Sequence, residues 1–164
     1  MLRSMLASGL SFLLLTVTIM LLDRLSKAWA VAHLTLFEPM TVLPVFNLTL
    51  AYNRGAAFSF FHHASGWQNI AFGAFAMLVS VGILIWLSRL KRGEYWLNVA
   101  LCLVLGGALG NAWDRVCDGY VTDFLHFHWK DWHFAIFNIA DSAICIGAIM
   151  MSMAWWFTKG DHKS

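Results

Sequence analysis

The chain has 164 residues, 60% of them hydrophobic and only 12% charged, with a mean hydropathy of +0.66. A soluble domain carries about 25% charge, and a chain this short cannot hide so much apolar surface from water; an ordinary soluble protein is excluded and lipid is the solvent. The formal net charge of +2 is too small to argue for nucleic acid.

In chain order, Arg3 precedes a first apolar run at roughly 9–29, long enough to cross a bilayer as a helix. The "AWA" at 28–30 imitates a signal cleavage site, but a retained first span is expected. Its removal would discard Asp23 and Lys27, which at i and i+4 form the favourable acid-before-base pair. That pairing reads as structural at least as readily as catalytic.

The next segment, "VFNLTLAYNRGAAFSFF", alternates Phe46, Leu48, Leu50 and Tyr52 with Asn47, Thr49, Ala51 and Asn53. Period two predicts a strand with an apolar face. Gly55 suits a turn or bulge that would aim Asn53 inward. "NLT" at 47–49 matches a glycosylation acceptor, but within a strand pattern it is chance.

A second run at roughly 68–88 ends in a basic turn holding Arg89, Lys91 and Arg92, and a third follows at roughly 95–113. Gly106 and Gly110 make a G-x-x-x-G surface for close packing of another helix, either one of this protein's own or a bound substrate. Asn111 and Arg115 share a face with Gly107, and Asp114 lies beside them. Residues 119–128 alternate again in part, so a small sheet resting on the membrane surface is expected.

His126, His128 and His133 follow. H-x-H on a strand puts two imidazoles on one face, yet no H-E-x-x-H occurs and no histidine lies inside a span, so wet interfacial histidines and no catalytic metal are expected. The fourth run, roughly 135–157, opens with Asn138 and Asp141. Cys102, Cys117 and Cys145 show neither disulfide nor zinc spacing.

The nine tryptophans support these boundaries, since eight lie at or near a run's end and Trp129 lies in the last loop. The fold class is therefore an all-α membrane protein: one domain of four transmembrane helices with a small sheet and loop cap on one face. Arg3, the basic turn, Lys159 and Lys163 share one side, six Lys and Arg against five on the other. The positive-inside rule makes that side cytoplasmic, with both termini on it. Every polar candidate (Asp23, Lys27, Asn53, Arg54, Asn111, Asp114, Arg115, Asp123, Asn138, Asp141) then meets at the outer face.

Ionisable residues at membrane depth are functional candidates because burying them is expensive. Asp141 has no basic residue nearby on its own helix, and Asp123 in "VTDF" could approach it from the loop. Two such carboxyls cannot both ionise cheaply, so one proton would be shared, as in an aspartic protease. Serine catalysis lacks a base and phosphate loops are absent. The competing class is a small transporter or channel subunit that relays through Asp141, Asn111 and Arg115. It predicts polar residues through to both faces, and the cytoplasmic half of each span is nearly bare of charge.

Five blocks in register, "DRLSK" (23–27), "NRGAAF" (53–58), "GNAWDR" (110–115), "VTDF" (121–124) and "FNIADSA" (137–143), resemble the lipoprotein signal peptidase (signal peptidase II) family across nearly the whole chain. Arg24 departs from it, standing where many members carry Gln. The resemblance implies a bacterial inner-membrane aspartyl endopeptidase that needs no cofactor. Its substrates are prolipoproteins with a diacylglyceryl-modified cysteine, cut just before that cysteine, and cyclic peptide antibiotics block the site. A monomer is expected. By motif, Asp123 and Asp141 become the catalytic pair; Asp23, Lys27, Asn53, Gly55, Gly107, Asn111, Arg115, Asn138 and Ala140 shape or support the site. The signal peptide would lie along the small-residue stripe of the third run, with Phe58, Phe60 and Phe61 pressed into the headgroups beside it.

Overall fold

The structure is a computed structural model that describes residues 8–55 and 67–160. A 3-10 turn, Gly9–Phe12, leads into α1 (Leu13–His33); β1 (Pro39–Leu43) and β2 (Phe46–Asn53) follow. Then come α2 (Trp67–Arg89), α3 (Tyr95–Cys117), β3 (Val121–Trp129), β4 (Trp132–His133) and α4 (Ile139–Gly160). All four helices are long and apolar enough to span a membrane. Leu14, Ile70 and Leu78 are more than two-thirds exposed, as residues facing lipid should be.

The centre of the bundle is α3. Of its most apolar window 61% is buried, against 17%, 22% and 17% for the other three spans. Ile83 and Leu87 of α2 pack with Leu101, Cys102 and Leu105 of α3 in one core. Small residues let the other neighbours come close. A side chain at Gly106 would meet Thr16 and Ile19 of α1, and one at Gly107 would strike the Ala140 carbonyl of α4. At Gly106 and Gly107 the small-residue stripe is thus filled by α1 and α4 of this chain, which settles the open alternative there. No substrate helix can lie on it at those two positions, whereas Gly110 lines an open cavity with Met20, Leu21 and Trp113.

The four strands form one antiparallel sheet in the order β1-β2-β3-β4. The sheet caps the end of the bundle where α1 and α3 finish and α4 starts. Leu50 and Phe124 seat it on Ala30 and Leu34 at the end of α1. β2 coincides with the alternating stretch, whereas its partner β1 is fully exposed and left no alternation in the sequence. The bounds differ from expectation in two places. α3 continues to Cys117, so Asp114 and Arg115 are helical. Residues 134–138 precede the last helix rather than opening it: Phe134 donates to Phe127 of β3, and Phe137 exchanges backbone hydrogen bonds with Leu125.

Candidate active site

The site lies under the sheet, where the ends of α1 and α3, the start of α4, and β2 and β3 converge. Asp23, Lys27, Asn111, Asp114, Asp123 and Asn138 are all buried, so each needs a polar partner.

Asn138 is the hinge of the arrangement. It caps α4, its Oδ1 accepting from the Asp141 amide at 2.9 Å while its own amide donates to Asp141 Oδ2 at 3.2 Å. This is a capping box with Asp in the third helical position, and it fixes the carboxyl at a helix N-terminus, where amide donors favour a negative group. The Asn138 Nδ2 turns the other way and donates to Asp123 Oδ1 at 2.6 Å. One residue therefore holds both carboxyls, Asp141 by its backbone amide and Asp123 by its side chain. Pairing of Phe137 with β3 is what brings Asn138 beside Asp123.

Asp123 also accepts from Asn53 Nδ2 at 3.2 Å. A bulge makes this possible, though not where the sequence suggested. Leu48 lies opposite Leu125 and Ala51 opposite Asp123, so three steps of β2 span two of β3. The extra residue swaps the faces of β2, placing Asn53 on the face of Asp123 instead of the face of Asn47 and Thr49. Gly55 supplies a turn: its amide donates to Asn53 Oδ1 at 2.9 Å, and its φ of 104° is one that a side chain would disfavour.

Asp141 Oδ1 accepts from Asn111 Nδ2 at 2.7 Å. Asn111 Oδ1 in turn accepts from Lys27 Nζ at 3.0 Å and Asn138 Nδ2 at 3.2 Å. Lys27 sits between Asp23 Oδ2 (2.6 Å) and Asp114 Oδ2 (2.7 Å), and Asp23 Oδ1 accepts from the Ala140 amide of α4 at 2.9 Å. The i, i+4 pair is thus a buried brace joining α1, α3 and α4.

Arg115 donates to the Asn111 carbonyl at 3.2 Å and lies over the Phe72 ring at 5.4 Å. Its charge faces Asp141 and Asp123, and its Nε is buried with no hydrogen-bond partner among the described residues. Burial, and next the Asp141 charge, push the Asp123 carboxyl up to about 7, overcoming the hydrogen bonds from Asn53 and Asn138.

Every expected site residue joins this network or packs against it. Asp114, a polar candidate of the outer face but not among the site residues the resemblance implied, is the second anion on Lys27. It also accepts from Arg24 at 3.2 Å and from the Thr122 amide at 3.5 Å. Its spacing of three from Asn111 carried the signal, once α3 is extended past residue 113. Arg24 also reaches Asp118 at 3.4 Å, so it supports Asp114 from the outside. Phe58, Phe60 and Phe61 lie outside the described residues. His126 and His128 are on β3 and His133 on β4, so the expected wet loop is a strand pair, with His126 buried.

Residues 15–157 match the protein family described as signal peptidase (SPase) II. The chain is 49% identical to the lipoprotein signal peptidase of Pseudomonas aeruginosa over 152 residues, 92% of this chain and 90% of that one. It is 51% identical to the lipoprotein signal peptidase of Coxiella burnetii over 140 residues, 85% and 86% of the two chains. Two solved structures described as bacterial membrane enzymes share the fold. One has a TM-score of 0.81 at 28% identity, covering 94% of this chain and 92% of its own. The other has a TM-score of 0.78 at 29% identity, covering 88% and 92%.

Proposed function

Given that this chain belongs to the signal peptidase II family of membrane aspartyl proteases, we propose that Asp123 and Asp141 are its catalytic pair. The protein is an aspartic endopeptidase that removes signal peptides from prolipoproteins, cutting before the diacylglyceryl-modified cysteine. The observation that carries the assignment is Asn138, hydrogen-bonded to both carboxyls at once.

Near neutral pH the pair holds one proton, assigned to Asp123 because burial raises that carboxyl to about 7. Asp141, held by Asn111 and the α4 terminus, takes a proton from a water as the oxygen attacks the scissile carbonyl. Asp123 donates to that carbonyl and stabilises the tetrahedral intermediate. Collapse returns the proton to Asp123, the C–N bond breaks, and the proton held by Asp141 passes to the leaving amine. The Arg115 Nε, buried and without a hydrogen-bond partner among the described residues, would serve a substrate backbone carbonyl. Asp23, Lys27 and Asp114 keep three helices in the spacing this requires.

The same reading places the protein as a monomer in the bacterial inner membrane, among lipids. The termini and the turn with Arg89, Lys91 and Arg92 are cytoplasmic and the site is periplasmic, open to cyclic peptide inhibitors. A transporter is not supported, because the charged network stays at one end of the bundle. Purified protein incubated with a lipidated precursor should yield the free signal peptide and a product beginning at the modified cysteine, read by mass analysis. An uncut precursor would sink the assignment.

A further inference from the structure

The reaction leaves three imidazoles unused. His128 and His133 are direct partners across β3 and β4, and His126 is two residues along the same strand, so all three lie on one face. Their ring centroids are 5.1 Å (His126–His133), 5.6 Å (His128–His133) and 6.1 Å (His126–His128) apart. Asn47 and Thr49 of β2 share that face, Asn47 lying opposite His126.

We propose that His126, His128 and His133 form a binding site for a divalent transition-metal ion of the zinc type. His126 Nε2 and His133 Nδ1 share a hydrogen bond at 3.2 Å, and the ion would take the place of the proton between them once the rings turn toward it. Two nitrogens bound tetrahedrally at about 2.0–2.1 Å from one zinc lie about 3.3–3.4 Å apart, so this pair already stands near ligand spacing. Thr49 Oγ1, 3.1 Å from His126 Nδ1, holds the ring by its other nitrogen, as a supporting partner of a metal-bound histidine does.

Two further atoms are left over on this face. Among the described residues, His128 Nε2 and Asn47 Oδ1 are buried without a hydrogen-bond partner. Such orphans cost free energy unless something satisfies them. Among the described residues no three His, Cys, Asp or Glu side chains already surround one point. Rotation of the His128 ring supplies the third ligand, and water or Asn47 Oδ1 the fourth. Imidazole donors select zinc, nickel or copper over magnesium or calcium.

The ion would not take part in cleavage. His126 is three positions from Asp123 on one strand, so the two side chains point to opposite faces. Its effect would be to fasten β4, only two residues long, onto β3, and it would enter past the exposed His133.

The test uses the full-length protein without a polyhistidine tag, stripped with chelator in detergent and titrated with zinc in a calorimeter. One zinc per chain is expected, with a higher melting temperature and no such response to magnesium. His128→Ala and His133→Ala should each weaken binding by at least about tenfold, as losing a ligand costs no less than losing its outer support. Both should cut precursor at the normal rate, showing that they fold. Absence of saturable zinc binding, or equal affinity in the His128→Ala/His133→Ala double variant, would overturn the proposal.

Discussion

Asp123→Asn should stop cleavage and yet make the protein more stable above neutral pH. Burial holds the Asp123 carboxyl at about 7 instead of 3.8. Between those values the folded state keeps a proton that the unfolded chain has lost. The folded state binds more protons there, so stability falls as pH rises, by about 1.4 kcal/mol per pH unit. Over the whole interval the loss is about 4 kcal/mol, fully present above about pH 7. Asparagine cannot ionise and avoids it.

Against this gain stands one hydrogen bond. The carboxyl accepts from Asn138 at 2.6 Å and from Asn53 at 3.2 Å, and an amide has only one oxygen. Keeping the shorter contact leaves the Asn53 amide facing another amide, at about 1–3 kcal/mol. The variant should therefore be about 1–3 kcal/mol more stable than the parent near pH 8 and less stable near pH 4. Unfolding both proteins in detergent at the two pH values measures the difference. A difference that does not change with pH would refute the burial argument.

Asp123→Asn and Asp141→Asn should each abolish nearly all cleavage, the double variant being little worse, because parts of one catalytic unit are not additive. Near-normal turnover in either single variant would remove the pair and make Asp23 the next candidate. Cleavage by the unaltered protein should fall about tenfold per pH unit above about 7 as the shared proton leaves, an apparent value that belongs to the pair. A flat rate from about pH 6 to 9 would contradict this. Lys27→Met leaves Asp23 and Asp114 buried without their cation and should destabilise the protein by about 3–5 kcal/mol, read by chemical unfolding. Asp118→Asn breaks only a contact with half-exposed Arg24 and should keep most activity in the precursor assay.

Some of this molecule is written in local runs. Lipid imposes about 20 apolar residues per crossing, so four spans and their tryptophan boundaries are legible from hydropathy alone. With an even number of antiparallel spans, one end of the bundle collects Asp23, Asn111, Asp123 and Asp141 without any knowledge of packing. The period of two at 46–53 declares β2, because one face of that strand is apolar. The roles of the two carboxyls were a different matter. The place of Asp141 in an apolar run with no basic neighbour, and of Asp123 in the nearby loop, offers them as a possible pair, and the five blocks of family resemblance supply the substrate.

Other features depend on partners far apart in the chain. β1 is exposed along its length and carries no periodic signal, so only its pairing with β2 defines it. The bulge that turns Asn53 toward Asp123 is a mismatch of two strands and belongs to neither sequence alone. The glycine stripe states that a helix comes close, while packing decides that α1 and α4 occupy it at Gly106 and Gly107. Asp114 looks like one more charge at a helix end until Lys27, 87 positions earlier, is found 2.7 Å away. Local pattern reports how each segment meets its solvent. Which buried polar group satisfies which other is decided only when the helices close on one another, because an unpaired charge at that depth costs too much to leave.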